Sequence, residues 1–159
     1  MPNILIKLPQ DAFPARHREM LVRGLNDAAA RAERILDDAG KRFLCWVVID
    51  EVAPGGWTCG GVDVTAQVLP CVVQIDVPAG VLDAAARARY VSLVHDALRL
   101  AVPPTERRRL STSVIVRDVP DGCWGANGVI WRLPDFADAA GFAHLQTPFS
   151  AASNSVQKN

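Results

Sequence analysis

Hydrophobic residues in the first third of the chain follow two kinds of pattern. Residues 3–8 and 43–51 are short runs rich in apolar and β-branched side chains, which is typical of β-strands. Between them, Pro14 suits the first turn of a helix and Gly40 suits its end. Apolar residues recur there at spacings of three and four, which predicts an amphipathic helix. The predicted stripe consists of Leu21, Leu25, Ala28, Ala32, Ile35, Leu36 and Ala39.

The same order of patterns returns in the second half of the chain. Residues 73–78 resemble residues 4–9, and residues 114–124 resemble residues 47–57, with nearly the same separation in both cases. Two matching landmarks in the same order indicate an internal duplication. Each half is therefore predicted to contain a strand, a helix, a second strand and a Gly-rich turn that carries a tryptophan.

The second predicted helix has clear boundaries. Asp83 can cap its start, because a short acidic side chain accepts hydrogen bonds from free backbone N–H groups of the first turn. Pro103 and Pro104 stop it, because proline cannot continue a helix. Its apolar stripe consists of Ala86, Tyr90, Leu93, Val94, Ala97 and Ala101.

A strand, a crossover helix and a second strand form a right-handed β-α-β unit with parallel strands. Two such units predict an α+β fold, with a four-stranded, mostly parallel sheet and two helices on one face. The predicted boundaries are residues 1–66 for the first unit and 67–133 for the second. Residues 134–159 form a C-terminal extension, with a brief helix to about residue 145 and a loose polar tail from residue 150.

The other face of this sheet is predicted to be apolar and to have no cover. Residues 44–48 and 114–116, taken as the inner strands, show almost no alternation of polar and apolar side chains. An uncovered apolar face favours association with other copies of the chain. We therefore expect a homo-oligomer, and a homotrimer would close the arrangement by three-fold symmetry.

Composition and charge narrow the range of partners. The chain has 159 residues, 50% of them hydrophobic and 21% charged, which suffices for one domain or two small fused units. Lys+Arg and Asp+Glu both number 17, so the formal net charge is zero. This balance argues against binding to nucleic acid or to an anionic membrane. The sequence has no apolar run of membrane-spanning length and no signal pattern, so we expect a cytoplasmic protein.

The residues that often bind metals or cofactors are scattered. Cys45, Cys59, Cys71 and Cys123 contain no close ligand pair, so no metal site is predicted and the cysteines are interpreted as buried thiols. The chain also lacks a P-loop, a dinucleotide fingerprint and a G-x-S-x-G motif. We expect no cofactor.

Pro2 is the most informative residue for chemistry. Removal of Met1 before a small residue would leave Pro2 with a free secondary amine. An ordinary α-amino group has a pKa of about 7.7–8.0, and burial in an apolar pocket favours the neutral amine and lowers that value. Such an amine is a general base at physiological pH. A processed Met-Pro start without any catalytic role is the alternative interpretation.

The sequence resembles the tautomerase superfamily, whose best-known member is 4-oxalocrotonate tautomerase. The matching features are residues 1–6, Pro9-Gln10, the amphipathic helix, and the two Gly-rich turns at residues 51–61 and 118–128. The resemblance covers about residues 2–132 and indicates a fused member with two units in one chain. It implies a tautomerase/MIF-like fold, trimeric assembly and Pro2 as the catalytic amine. The nitrogen of Pro70, which begins the second unit, is an amide and cannot do this work.

The resemblance also implies the residues around the amine. Trp57 and Trp124 match the aromatic residue of the family's hairpin, which lines the pocket; packing at an oligomer interface is the alternative. The family's arginines are replaced by Ala12 and by Trp46 or Ser113, and a histidine of the dehalogenase relatives by Ala29 or a neighbour.

These replacements affect the expected substrate. Arginines bind carboxylates by paired hydrogen bonds, so their loss favours a monocarboxylate over a diacid. An arginine at another position, namely Arg16, Arg42, Arg117 or Arg132, could reach the pocket instead, and the sequence leaves open which one. Trp46 is interpreted first as a strand core residue, although in the arginine's place it would make the pocket more apolar.

Three functions remain open at this stage. The first is a tautomerase-like isomerase in which Pro2 is the general base for keto–enol proton transfer on a small α-keto or enol carboxylate. The second is a Pro2-dependent hydratase or dehalogenase of 3-substituted acrylates, in which Pro2 stays protonated and acts as an acid. The third is an oligomeric binding protein that has kept the fold and lost the catalytic site.

Overall fold

The computed structural model describes residues 2–35 and 38–145. The first half of the chain contains four strands and two helices. In chain order they are β1 (Asn3–Pro9), α1 (Ala15–Glu33), α2 (Ala39–Arg42), β2 (Trp46–Val52), β3 (Thr58–Cys59) and β4 (Val62–Asp63). The short strands β3 and β4 pair with each other as a separate hairpin.

The second half repeats the order of strand, long helix, strand and hairpin, and its second helix follows the hairpin instead of preceding the second strand as α2 does. Its elements are β5 (Val68–Pro78), α3 (Ala84–Ala101), β6 (Arg109–Val119), β7 (Trp124–Ala126), β8 (Val129–Trp131) and α4 (Leu133–Ala140). Strands β7 and β8 form a second hairpin. Each half therefore contains a strand, a long helix, a strand and a small hairpin.

The four long strands form one mixed sheet in the order β2-β1-β5-β6. Strand β1 is parallel to β2 and β5 is parallel to β6, whereas β1 and β5 are antiparallel. The predicted α+β fold, with two β-α-β units in one sheet, is confirmed. The prediction that residues 44–48 and 114–116 are inner strands is wrong, because the two units join through β1 and β5 and leave β2 and β6 at the edges.

The core lies between one face of the sheet and the helices α1 and α3. Alternate residues of the inner strands, such as Ile4, Ile6 and Ile75, are fully buried on this face, as expected for strands with a side-chain period of two. The helices pack closely: a Cβ atom on Gly24 would lie 2.9 Å from the Cβ atom of Ala97. A side chain at Gly24 would therefore push the two helices apart.

The opposite, open face of the sheet carries both apolar and charged side chains. Trp46 and Ile115 are exposed there. Lys7 pairs with Asp50 on the same face, with 2.5 Å between Nζ and Oδ2. The expectation of an apolar face is thus met only in part. Along the edge strands β2 and β6, exposed and less exposed side chains alternate. The short apolar runs at residues 44–48 and 114–116 do not reveal the polar side chains on the open face.

Helix α1 ends earlier than its hydrophobic stripe predicts. It stops at Glu33, and Arg34 adopts a left-handed conformation with φ of 56°. Ile35 leaves the helix and pairs as a β-bridge with Phe142, and its apolar side chain is partly buried against the core. Gly40 belongs to α2 and does not end α1. Leu36 of the predicted stripe lies outside the described residues.

Helix α3 agrees with the prediction. The carboxylate of Asp83 accepts a hydrogen bond from the backbone N–H of Ala86 at 2.7 Å. The helix ends at Ala101, two residues before Pro103. The capping residue and the proline stop therefore define this element from sequence alone.

The C-terminal extension packs on the core. Helix α4 is shorter than predicted, and Phe136, Ala140 and Phe142 are buried. The loose tail predicted from residue 150 lies outside the described residues. Among the helices of the described segments, none has the length and apolar character needed to cross a bilayer.

Candidate active site

Pro2 lies at the start of an inner strand and is buried. Its backbone carbonyl accepts a hydrogen bond from the N–H of Trp46 at 3.1 Å. The next residue, Asn3, is paired with Trp46 on one side and with Asp76 on the other. Because side chains alternate along a strand, Pro2 shares the helix-covered side of β1 with Ile4. The start of the chain is therefore held in the middle of the sheet.

The strand directions decide which parts of the chain lie near Pro2. Strand β5 is antiparallel to β1 and parallel to β6, and the register aligns Asn3 with Asp76 and Asp76 with Arg117. The start of β1 and the ends of β5 and β6 therefore share one end of the sheet, called the Pro2 end below. The hairpin β7–β8 follows β6 and leaves the sheet from this end. At the opposite end, Pro9 pairs with Val52.

Trp124 belongs to the hairpin at the Pro2 end. Its ring lies 5.4 Å from the ring of Phe136 in an edge-to-face arrangement, and the Trp131 ring lies 5.2 Å from the same phenylalanine. Aromatic rings favour such tilted contacts. Trp124 is partly buried against the core, so the structure gives it a packing role, and its role toward a substrate stays a prediction.

Trp57 lies on the other side of the molecule. It lies between β2 and the hairpin β3–β4. Because β2 is parallel to β1, it ends beside Pro9, at the end of the sheet opposite Pro2. Both strands of this hairpin are exposed. Within one chain, Trp57 and Pro2 are therefore at opposite ends of the sheet. A shared pocket would require Trp57 from another copy.

The remaining predicted residues lie on the open face. Trp46 is 63% exposed, so its interpretation as a strand core residue is wrong: it occupies the first position of an edge strand, where its side chain faces away from the helices. Ser113 and Arg117 are exposed on β6. The guanidinium of Arg117 binds both carboxylate oxygens of Asp76, at 2.7 and 3.0 Å. A carboxylate substrate would have to compete with Asp76 for this arginine.

Sequence reasoning missed Glu33, the last residue of α1. Glu33 is 0% exposed and is the one charged residue among the fully buried residues that the structure describes. The hydroxyl of Tyr90, itself fully buried on α3, donates to Glu33 Oε1 at 3.4 Å. Burial raises the pKa of Glu33, while the charge at the chain's amino terminus and the Tyr90 hydroxyl lower it. A glutamate four residues beyond Ala29, in line with Leu21 and Leu25, was the available signal.

Cys45 lies beside this carboxylate. Burial, followed by the negative charge of Glu33, raises the pKa of the Cys45 thiol to about 12. The thiol is therefore protonated at neutral pH and is not a nucleophile. Cys71 is buried and is protonated for the same reason of burial. Cys59 and Cys123 are exposed in the two hairpin regions, so the interpretation of the cysteines as buried thiols fails for these two.

The C-terminal extension covers the end of α1. The backbone N–H of Ala143 donates to the carbonyl of Arg34 at 3.1 Å. The Nε2 atom of His144 lies 2.8 Å from the carbonyl oxygen of Val81. With the bridge between Ile35 and Phe142, these contacts hold the C-terminal extension against the residues that directly follow Glu33.

A separate open groove of about 690 Å³ lies between the start of α1 and the edge strand β2. It is lined by Phe13, Arg18 and Ile49 among other residues, and none of the predicted site residues contributes to it. Arg18 is held there by Glu51, with 2.6 Å between Nη2 and Oε1. Since α1 begins at the end of the sheet opposite Pro2, this groove is not part of the candidate site.

Comparisons with known proteins give a result only at the level of three-dimensional structure. No family model matches the sequence, and no curated protein matches it either. Among solved structures, the "F6 fused 4-OT wild type asymmetric trimer" is 19% identical over 80% of this chain and 94% of that chain, with a TM-score of 0.63. The "Q0 fused 4-OT wild type symmetric trimer" is 19% identical over 87% and 98%, with a TM-score of 0.64.

A third similar structure is that of "Pt0534 Inactivated by 2-Oxo-3-pentynoate", which is 15% identical over 80% of this chain and 94% of that chain, with a TM-score of 0.64. Each of the three similarities covers at least 80% of this chain and at least 94% of the solved chain. The similarity therefore includes both β-α-β units. At these identities it is a similarity of fold. The fold implied by the resemblance in the sequence is confirmed: the chain has the fold of the fused 4-OT structures.

Proposed function

We propose that this protein is a tautomerase-like isomerase in which the amine of Pro2 is the general base for keto–enol proton transfer. The substrate class is a small α-keto or enol carboxylate. The observation that carries the proposal is the position of Pro2, buried at the start of an inner strand in a fold shared with fused 4-OT structures. We therefore propose membership of the tautomerase superfamily for this chain.

The chemistry needs only the secondary amine. Once Met1 is removed, the lone pair of the Pro2 nitrogen accepts a proton from the enol hydroxyl while the electrons of the O–H bond form the ketone. The protonated amine then gives a proton to the carbon end of the former double bond. The enzyme ends in its starting protonation state, and no oxidant or co-reactant is consumed. General base catalysis of this kind contributes about 10²–10⁴-fold to a rate.

The test compares two prolines of the same chain. Pro2→Ala replaces the secondary amine, whereas Pro70→Ala alters a residue within β5 whose nitrogen is an amide. We expect Pro2→Ala to lower the turnover of phenylpyruvate-type and hydroxymuconate-type enols by about 10²-fold or more, and Pro70→Ala to retain turnover in the folded protein. The intact mass of each protein reports whether Met1 has been removed. Equal turnover of Pro2→Ala and the parent protein would exclude Pro2 from the mechanism.

A covalent probe gives an independent readout. Pt0534, one of the similar structures, is inactivated by 2-oxo-3-pentynoate, and we propose this compound as a probe of Pro2. The nitrogen would add to the alkyne carbon remote from the ketone, and a proton would move to the neighbouring carbon, so nothing leaves. The mass should rise by that of the whole reagent, on the peptide that begins with Pro2.

A second function has one observation in its favour. If Pro2 stays protonated at neutral pH, it would act as an acid in hydration or dehalogenation of a 3-substituted acrylate. The buried carboxyl of Glu33 at the Pro2 end favours the protonated amine. A pH–rate profile separates the two functions, because a base must lose its proton to act and an acid must keep it.

The third function is a binding protein without catalysis. It is favoured by the replacement of the arginines that would hold a carboxylate for the reaction. Trp46 and Ser113 occupy the places of the family's arginines, and Arg117 is engaged by Asp76. A chain that binds enol carboxylates without turnover, and whose Pro2 is not labelled by the probe, would support this function against the other two.

We also propose that the chain assembles as a homotrimer. Two of the similar structures are named as trimers, and the open face of the sheet exposes large apolar residues such as Trp46 and Ile115. Assembly would allow Trp57 of one chain to approach the Pro2 end of another. Light scattering after size-exclusion chromatography should give three times the mass of one chain, and a monomer would exclude this arrangement.

A further inference from the structure

The buried carboxyl of Glu33 and the start of the chain share one end of the molecule. Helix α1 runs back over β1, because a β-α-β crossover returns the chain to the end of the sheet where it began. The last residue of α1 therefore lies above the first residues of β1. Cys45 connects the two: its thiol is influenced by the charge of Glu33, and the next residue, Trp46, donates its N–H to the carbonyl of Pro2.

A glutamate is unfavourable at this position unless a positive charge is near. The C-terminal end of a helix carries a partial negative charge, so an acidic side chain in the last turn is destabilising. Full burial adds a desolvation cost for an ionised carboxylate. The aligned positions Ala29, Leu25 and Leu21, which lie one, two and three turns earlier, are all buried and apolar. An ionised carboxylate on this face is therefore stable only beside a positively charged group.

The groups that face Glu33 come from every element packed around it. Tyr90 of α3 donates to it, and its own pKa is raised by burial and then by the charge of Glu33. Cys45, before β2, is a protonated thiol. His144 of the C-terminal extension favours the ionised carboxylate by its charge, as does the amino terminus of the chain.

We propose that Glu33 is the counter-charge of the Pro2 amine, a positioning residue that holds the amine in place and strengthens its affinity for a proton. This inference rests on the proposed function, because it concerns the amine that Met1 removal exposes. It adds a residue from the end of α1 that acts on the reaction through Pro2.

Two opposing influences then set the pKa of the Pro2 amine. Burial in an apolar environment disfavours the ammonium form and lowers the pKa, whereas a carboxylate within about 4–6 Å favours the ammonium form and raises it. Because Pro2 must lose its proton to act as a base, Glu33 moves the rising, acidic limb of the pH–rate profile to higher pH. It also determines how much of the amine is available as an acid at neutral pH, which is where the two catalytic functions differ.

The experiment measures the proton affinity of the amine directly. The rate of labelling by 2-oxo-3-pentynoate is followed by intact mass as a function of pH, because only the neutral amine reacts. We expect Glu33→Gln to lower the apparent pKa of the amine by about one unit or more. At a pH below both values, labelling should then be about tenfold faster than in the parent protein. The matched control is Glu19→Gln on the exposed side of the same helix, which should leave the pKa unchanged.

A second variant guards against misfolding of Glu33→Gln. Tyr90→Phe removes the hydroxyl that donates to Glu33 and keeps the ring. Without this donor, the carboxyl binds its own proton more readily and carries less negative charge, so the amine pKa should fall in the same direction by a smaller amount.

The outcomes distinguish this inference from the proposed function. A lower amine pKa in Glu33→Gln and Tyr90→Phe, with Glu19→Gln unchanged, supports the counter-charge. An unchanged pKa in a processed and labelled Glu33→Gln protein, or in folded Tyr90→Phe if Glu33→Gln does not fold, overturns the inference and leaves Pro2 as the base. A mass that retains Met1 overturns both, because no secondary amine exists.

Discussion

The two β-α-β units of this chain share a strand, a long helix, a second strand and a hairpin, but they begin differently. The first begins with Pro2 at the start of β1, where removal of one residue would free its nitrogen. The corresponding proline of the second unit, Pro70, lies inside β5 and is paired in register with Ser111. An identical residue type is thus a candidate catalyst in one unit and a strand residue in the other. The difference arises from the position in the chain and not from the fold.

The two units also contribute different parts of the Pro2 end. The first unit supplies the amine and the buried carboxyl of Glu33. The second supplies Tyr90, which donates to that carboxyl, and the hairpin of Trp124. The hairpin of the first unit points to the other end of the sheet. The proposed site would therefore be composite, because each unit provides groups at this end that the other lacks.

The largest effect is expected when the anchor of the second hairpin is removed. Phe136 is 2% exposed and contacts the rings of both Trp124 and Trp131. Phe136→Ala should lower the free energy of unfolding by roughly 3–5 kcal/mol, because it leaves a cavity under two aromatic rings. Urea denaturation gives this value, and Phe43→Ala, at a side chain that is 81% exposed, is the matched control. Similar losses in the two variants would show that the hairpin is not anchored through Phe136.

The two hairpin tryptophans provide the next comparison. Trp124→Ala should lower the free energy of unfolding by about 2 kcal/mol, less than a fully buried aromatic residue because Trp124 is only partly buried. Trp57→Ala should cost less, since it is flanked by the exposed hairpin β3–β4. Both are measured by urea denaturation at low protein concentration. A larger loss in the free energy of unfolding for Trp57→Ala than for Trp124→Ala would contradict this prediction. It would mean that the first hairpin is buried in an assembly and is exposed only in the isolated chain.

The sequence was sufficient for the long helices and strands because the signals for them are local. The stripes of α1 and α3, the Asp83 cap and the duplicated strands each depend on neighbours along the chain. The strand order was not accessible in the same way: which strands are inner depends on the antiparallel pairing of β1 with β5, a contact between distant segments. The same holds for the early end of α1, which follows from the pairing of Ile35 with Phe142.

The candidate site was predictable only at its centre. Pro2 stands out because its chemistry depends on its position in the chain. Glu33 did not stand out, since a glutamate near a helix end is usually solvated, and its contact with Tyr90 joins residues far apart in the sequence. Trp57 and Trp124 lie at opposite ends of the sheet because of the directions and register of the strands. A hydrophobic pattern does not specify the register between strands that are far apart in the sequence.

Two glutamates, one in each unit, should give opposite dependences of stability on pH. A hydrogen bond from Arg108 lowers the pKa of Glu106 to about 2, so its contribution is present above the ordinary value of 4.5 and is lost as the pH falls toward 2. Burial raises the pKa of Glu33 from the same ordinary value. Its contribution is therefore present below pH 4.5 and is lost as the pH rises through the folded-state value.

Urea midpoints measured across this pH range check both signs. Glu106→Gln should flatten the acid side of the stability profile, and Glu33→Gln should flatten the decline at higher pH. The exposed Glu19→Gln variant should follow the parent protein throughout. A steeper loss of stability at high pH in Glu33→Gln would mean that the ionised carboxylate, held by its cationic partner, stabilises the folded state more than its burial costs.

The smallest expected effect concerns the starts of the two long helices. Helix α3 begins with Asp83, whose side chain accepts from the N–H of Ala86, whereas α1 begins after Pro14 without a side-chain cap. Asp83→Ala removes this difference between the units and should lower the urea midpoint by less than Trp124→Ala does. The hydrogen bond from Ala86 holds the pKa of Asp83 below its ordinary value of 3.8, so the gap between variant and parent should close as the pH falls below that value. Asp138→Ala, an exposed aspartate within α4, is the control and should show no such pH-dependent gap. A gap that persists in strong acid would mean that Asp83 stabilises α3 by means other than its charged cap.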